Sequence, residues 1–323
     1  MTSVMLIAME SCFGSAVIGV ADALSLANFW CTTAGHPHRF SITIATVTGE
    51  PVHSFSGIPI ESHVQIDPTQ RPDVVVIPPL VGDVLSALGR DAALVEWLRG
   101  VAARGAVVAS VCTGAFYLAE AGLLDGRSAT TNPAFAALFS QRYPQVRLCP
   151  ERRLTEDKEI LCAGSTTAFL QLALRIVDRC CGHDVAVLSG KALNIGTHIE
   201  SQLPYALFQP QKSHDDEAIR LLQGWIEDHF ADNISANQLA KLKGMSLRTL
   251  NRRFKAATGK GPLEYLQDVR IEMAKRQLDS SAKNVESIAI DCGYKDARSF
   301  SRLFKDRADV SPSAYRSRFG VTS

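Results

Sequence analysis

A chain of 323 residues with 46% hydrophobic and 21% charged side chains has the composition of a globular protein with room for two domains, which excludes a disordered or low-complexity polypeptide. No apolar run reaches the ~18 residues that a membrane span needs, and Glu10 stands where a secretory signal would carry cations, so a cytoplasmic protein without a membrane partner is expected. The formal net charge of +1 conceals unlike halves: residues 1–211 hold 14 Lys and Arg against 18 Asp and Glu, and residues 212–323 hold 20 against 15, as a mildly acidic domain joined to a basic, nucleic-acid-binding one would.

Along the first half, apolar runs at 4–9, 40–47, 74–77 and 106–110 predict strands, and helical periodicity at 15–29, 92–103, 114–121 and 166–180 predicts helices between them. That alternation implies an α/β domain over residues 1–203, a mostly parallel sheet with helices on both faces. The helix at 166–180 is apolar around most of its surface, through Phe169, Leu170, Leu172, Ala173, Leu174, Ile176 and Val177; it fits either complete burial or a dimer face, and a homodimer is expected. Pro204 and Pro210 then break the pattern and mark a linker at 204–213. The eight cysteines (Cys12, Cys31, Cys112, Cys149, Cys162, Cys180, Cys181 and Cys292) form no CxxC pair and no cluster with zinc spacing, so most read as buried thiols, and no metal or cofactor is expected.

Residues 214–323 read as an all-α domain with an internal repeat. Leu239, Ala240 and Gly244 recur as Ile288, Ala289 and Gly293 at an offset of 49; Leu250, Arg252, Phe254 and Lys255 recur as Phe300, Arg302, Phe304 and Lys305 at an offset of 50. The letters have physical reasons. A small alanine lets one helix pack closely on the next, a glycine supplies the left-handed residue of a tight turn, Ser246 or Asp296 caps the following helix, and the i, i+4 apolar pair anchors it. Each repeat is therefore a helix-turn-helix. The second helix of each keeps Arg248, Asn251, Arg252 and Lys255, or Arg298, Ser301, Arg302 and Lys305, exposed, side chains suited to base edges and phosphates. One such helix is as easily a solvated surface, but two in the same register are not. The stretch at 262–278, opening on Pro262, predicts a connecting helix of about 25 Å that can hold two heads near the ~34 Å spacing of successive major grooves.

The run IAIDCGYKDARSFSRLFKDRADVSPSAYR at 288–316, with Pro312 and Tyr315, resembles the signature of the AraC/XylS family almost throughout. The resemblance implies a transcription regulator that binds double-stranded DNA, with RNA polymerase a further candidate partner. It places the reading positions on Arg248, Asn251, Arg252, Arg298 and Arg302; Ala297 departs by leaving one frequent contact position without a polar group. The segment AVVASVCTGAFYLAEAGLLDGRSATTN at 106–132 resembles the ThiJ/PfpI group, relatives of class I glutamine amidotransferases, over roughly residues 3–195. This implies a flavodoxin-like sandwich with Cys112 on a nucleophile elbow. Together the two parts resemble GlxA-like regulators, and the resemblance suggests amino acids, amines or quaternary ammonium compounds as effectors.

Catalysis is not expected. A cysteine nucleophile needs a base, and Thr113 follows Cys112 where enzymatic relatives often place His, while Asn132 follows Thr130 and Thr131 where many GlxA-like regulators keep one. Pro78 and Pro79 stand where relatives usually carry a Gly-Gly pair, and proline has no N–H for an oxyanion. His36, His38, His53, His63, His183 and His198 read as surface or satisfied histidines. Binding is left: the N–H groups of Thr113, Gly114 and Ala115 at a helix start, with Glu10, Ser11 and Asn132, are expected to line a small-molecule crevice at the carboxyl ends of the strands. Three readings stay open: a ligand-responsive transcription factor, a cysteine hydrolase or amidotransferase with a DNA-binding appendage, and a constitutive regulator whose α/β domain only dimerises.

Overall fold

A computed structural model describes residues 1–195, 201–205, 210, 212 and 214–320, and the chain divides into two compact units, Met1–Gln202 and Leu203–Ser323. Most of the expected linker, and His198, lie outside the described residues.

The first unit is built from β1 (Thr2–Ile7), α1 (Gly14–Thr33), β2 (Phe40–Thr46), β3 (Val52–His53), β4 (Pro59–Ile60), β5 (Val64–Gln65), β6 (Val74–Ile77), α2 (Val84–Arg90), α3 (Ala92–Ala103), β7 (Val107–Val111), α4 (Ala115–Glu120), β8 (Ser128–Ala129), α5 (Ala136–Arg142), β9 (Arg147–Leu148), β10 (Leu154–Asp157), β11 (Ile160–Ala163), α6 (Phe169–Cys181) and α7 (His183–Ala192). Seven strands pair in the order β10-β11-β7-β6-β1-β2-β5, all parallel except the β10-β11 hairpin. All four residues of β6 are buried, as a parallel strand covered on both faces requires. Strand order reverses beside β1, so the carboxyl ends of β1, β6 and β7 open on the switch point where such sheets bind ligands.

One expectation changes here, and for the helix at 166–180 the structure shows the first of its two open readings, burial. The α1 helix, at 20 residues, is long and apolar enough to cross a membrane by length and composition, contrary to the sequence reading; it packs on the sheet and on α6, with Ala16, Val17, Val20, Ala23, Leu24, Ala27 and Cys31 buried. A Cβ at Gly19 would lie 2.3 Å from Cε2 of Phe169, so this glycine is what lets α1 and α6 close. The apolar breadth of α6 has the same origin: it meets α1, α7, β7 and β11 at once, and its apolar surface is consumed within the chain.

The second unit contains α8 (Glu217–Asp228), α9 (Ala236–Leu242), α10 (Leu247–Thr258), α11 (Pro262–Ser280), α12 (Val285–Asp291), α13 (Ala297–Ala308) and α14 (Pro312–Phe319). Two cores form around the repeats: Leu239, Ala240, Leu250 and Phe254 pack with Tyr265, Leu266 and Val269 of α11, and Ile288, Ala289, Phe300 and Phe304 pack with Ile271, Ala274 and Leu278 further along it. At 19 residues, α11 spans about 28 Å and is shared by both heads. Gly244 and Gly293 take φ of +61° and +79°, and Ser246 and Asp296 accept from the N–H groups of Thr249 and Ser299, so the two turns are one device used twice.

Candidate nucleic-acid interface and ligand crevice

Helical periodicity fixes which face of α10 and α13 is free. Leu250 and Phe254, and Phe300 and Phe304, are fully buried, which leaves Arg248, Asn251, Arg252 and Lys255 exposed on α10 and Arg298, Arg302 and Lys305 exposed on α13, with Ser301 half-buried among them. Among the described residues no ion pair holds any of these six cations. The same helices carry cations that are tied down: Arg253 pairs with Asp216 at 2.6 Å, and Arg307 with Asp268 at 3.1 Å. Cations kept for packing are therefore paired inward, and the unpaired ones share one outward register in both heads.

In the first unit, β7 runs straight into Cys112, whose φ of +54° puts a non-glycine residue in the left-handed region, the strained turn of a nucleophile elbow. Cys112 is 4% exposed. Burial pushes its thiol up from the ordinary range, against hydrogen bonds from Thr166, Asn132 and Thr113 that pull it down. Thr166 Oγ1 lies 3.7 Å from Sγ, and Thr131 Oγ1 donates to the Cys112 carbonyl at 2.8 Å. These neighbours are hydroxyls and an amide, which hold a thiol but do not take its proton at neutral pH.

The expected crevice residues separate into two groups. Cys112, Thr113, Gly114 and Asn132 converge, yet Thr113 is a brace: its hydroxyl donates to the Leu80 carbonyl and accepts from the Leu80 N–H, both at 2.8 Å. A Cβ on Gly114 would sit 2.7 Å from the Ile77 carbonyl, so glycine lets the elbow close on β6. The Ala115 N–H donates to the Cys112 and Thr113 carbonyls within the short turn. Asn132 caps the next turn by accepting from the Ala134 N–H at 3.0 Å. Glu10 and Ser11 are exposed and engage His53: the carboxylate accepts the His53 N–H at 3.2 Å, and the Ser11 N–H donates to the His53 carbonyl at 2.8 Å. His36, His38, His63 and His183 hold local contacts with His38 N–H, Thr2, Ile44 N–H and Asp178.

Three participants went unread in the sequence. Thr166 and Thr131 touch the elbow from afar in the chain, and Gln202, 2% exposed, donates from Nε2 to Thr131 O, Pro150 O and Thr130 Oγ1 at 2.8–3.1 Å. The Gly164-Ser165-Thr166 run, which follows buried β11 beside β7, is the one signal that places Thr166 at the same sheet end.

The DJ-1/PfpI family model matches residues 7–179, more than half of the chain. The chain belongs to the DJ-1/PfpI family. This DJ-1/PfpI protein also carries an AraC-type helix-turn-helix domain, matched at residues 239–318. It is 26% identical over 283 residues to the HTH-type transcriptional regulator CdhR of Pseudomonas aeruginosa, covering 87% of this chain and 83% of that one. It is 40% identical over 94 residues to the HTH-type transcriptional activator RhaS of Escherichia coli O139:H28, spanning about a third (34%) of that protein's length. The crystal structure of an AraC family transcriptional regulator from Pseudomonas putida superposes with a TM-score of 0.52 and 24% identity, over 60% of this chain and all of that chain. Drosophila melanogaster DJ-1beta does so with a TM-score of 0.52 and 20% identity, over 60% and 98%. Both superpositions speak for the fold.

Proposed function

We propose that this chain is a transcription regulator that reads duplex DNA through α10 and α13 and binds a small metabolite beside Cys112 without turning it over. The observation that carries the DNA reading is the repeated outward face of cations unpaired among the described residues, set against the inward-paired Arg253 and Arg307 on the same helices. Similarity to CdhR over most of both chains supports it. The effector reading rests on Cys112, Asn132 and Thr166 meeting at the switch point of the sheet. Thiol, amide and hydroxyl suit a small polar molecule such as an amino acid or amine. A homodimer in the cytoplasm, acting on RNA polymerase at the promoter, completes the proposal.

Thermal-shift titration of the full-length chain with a panel of such metabolites tests the effector reading. A true effector at 100 times its dissociation constant stabilises the folded state by about 2.7 kcal/mol, and Asn132→Ala diminishes the shift. A panel with no stabilising compound, or a shift that ignores Asn132→Ala, removes the effector from beside Cys112.

The strained φ of Cys112 favours one second reading, a cysteine enzyme. Under the proposal, purified protein shows no amidase or glyoxalase turnover above background, and Cys112→Ala leaves DNA binding by the unliganded chain unchanged. Turnover that vanishes with Cys112→Ala establishes the enzyme.

A further inference from the structure

The two heads are joined by more than the shared helix. Asp268 and Arg270 lie two residues apart on α11 and so on opposite sides of it; Asp268 links the two heads, and Arg270 links the loop ahead of the first head to the second. The Asp268 carboxylate, 9% exposed, accepts from Lys260 Nζ at 2.5 Å, in the turn that closes the first head, and from Arg307 Nη1 at 3.1 Å, on the reading helix of the second. Arg307 also reaches Gln267 Oε1 at 3.3 Å. On the other side, Arg270 donates to the carbonyls of Phe230 and Asp232 at 2.7 and 2.8 Å, ahead of the first head, and its guanidinium lies 5.4 Å from the centre of the Tyr294 ring in the turn of the second. Gly293 completes that side: a Cβ there would lie 2.5 Å from the Ala231 carbonyl, whereas the equivalent Gly244 faces open space.

A nearly buried carboxylate persists only where cations offset its lost hydration, and here the two cations come from different heads. Without the carboxylate, Lys260 loses its partner and Arg307 keeps only the more exposed Glu264 carboxylate at 3.7 Å, so the bridge from Lys260 to Arg307 is gone. Rotation or sliding of one head against the other would shift the spacing between the two grooves they enter. None of the atoms involved belongs to the outward cation face.

We propose that Asp268 is a positioning residue: it fixes the register of the two reading heads, and with it the number of base pairs between the two sequence elements, while touching no DNA. The proposal rests on the DNA-reading function above. The closing experiment selects duplexes from a random-sequence pool with the full-length wild-type chain and with Asp268→Ala, and sequences what each retains. Wild type enriches two elements at a single spacing. Asp268→Ala enriches the same two elements with spacings spread over several base pairs, binds the wild-type spacing about tenfold more weakly, and binds a duplex with only one element within about threefold of wild type, because linked sites lose effective concentration when their geometry loosens. Asp268→Glu, which keeps the charge, recovers part of the spacing preference. If Asp268→Ala loses its helical circular-dichroism signal, Arg307→Gln, which cuts the same tie from its more exposed end, replaces it. A variant that folds and keeps the single spacing overturns the proposal. A wild type that enriches no sequence overturns the DNA reading itself, and the proposal with it.

Discussion

Raising the salt from 50 to 200 mM is expected to weaken duplex binding by the full-length chain about a thousandfold. The duplex holds a condensed layer of counterions, and each phosphate neutralised by a protein cation releases some of them, so the logarithm of affinity falls with the logarithm of salt at about 0.9 per phosphate. The slope counts available cations. Among the described residues six stand unpaired on α10 and α13, Arg248, Arg252, Lys255, Arg298, Arg302 and Lys305, and each displaces counterions whether its charge meets a phosphate or enters the groove between phosphates. Arg253, Lys260, Lys212, Lys283 and Arg307 are already paired with carboxylates inside the unit and contribute little. About six phosphates' worth of released ions gives a slope near five, and a fourfold rise in salt then removes about three decades. Anisotropy titrations at several salt concentrations measure this slope. A value near one would mean that the exposed cations do not meet the duplex.

Arg252→Ala and Arg302→Ala are each expected to cost about 1–3 kcal/mol on a specific site and to relax preference at one or two base pairs, because an arginine fork makes two hydrogen bonds with guanine. Lys255→Ala should weaken all sequences alike and lower the salt slope by about one. Both arginines repeat at the same register of their helices, after buried Leu250 and Phe300 and before buried Phe254 and Phe304, so the two losses should be separate and nearly additive in the double variant. Lys255 and Lys305 come later on the helices, toward the DNA backbone. Competition with duplexes substituted one base pair at a time separates the outcomes. Equal loss on specific and nonspecific DNA would make the arginines phosphate clamps instead of readers.

The second unit was legible in the sequence because its structure is encoded by residue type at short spacing. Gly244 and Gly293 are needed for a positive φ, Ser246 and Asp296 for a cap three residues from its donor, and Leu250, Phe254, Phe300 and Phe304 for one buried stripe, so each letter states its own geometry. Four of the parallel strands of the first unit, β1, β2, β6 and β7, were legible as apolar runs, whereas the two-residue, exposed β5 and the short β11 were not. The β10-β11 hairpin was not: its turn holds Lys158 at φ +58°, without the glycine that announces such turns, and its outer strand is polar at Glu156 and Asp157.

The crevice was half legible. Strand-to-helix passage at Cys112 marks an elbow, but its partner Thr166 lies 54 residues away, and spacing carries no information at that distance. Glu10 and Ser11 were placed at the correct end of the sheet by topology alone, and the turn at Ser11, with φ of +61°, goes with both residues bonding to His53. The ties at Asp268 and Arg270 were invisible for the same reason, since charged letters on a helix do not announce which ones are paired inward.

Hydroxyl-radical footprinting of the full-length chain on a duplex it selects tests the central claim most directly, since two heads held on one 19-residue helix must enter one face of the DNA. The expected result is two protected patches about one helical turn apart, roughly 10–10.5 base pairs between centres, both lost to Arg252→Ala together with Arg302→Ala. A single patch, or two patches on opposite faces of the duplex, would contradict a two-headed reader.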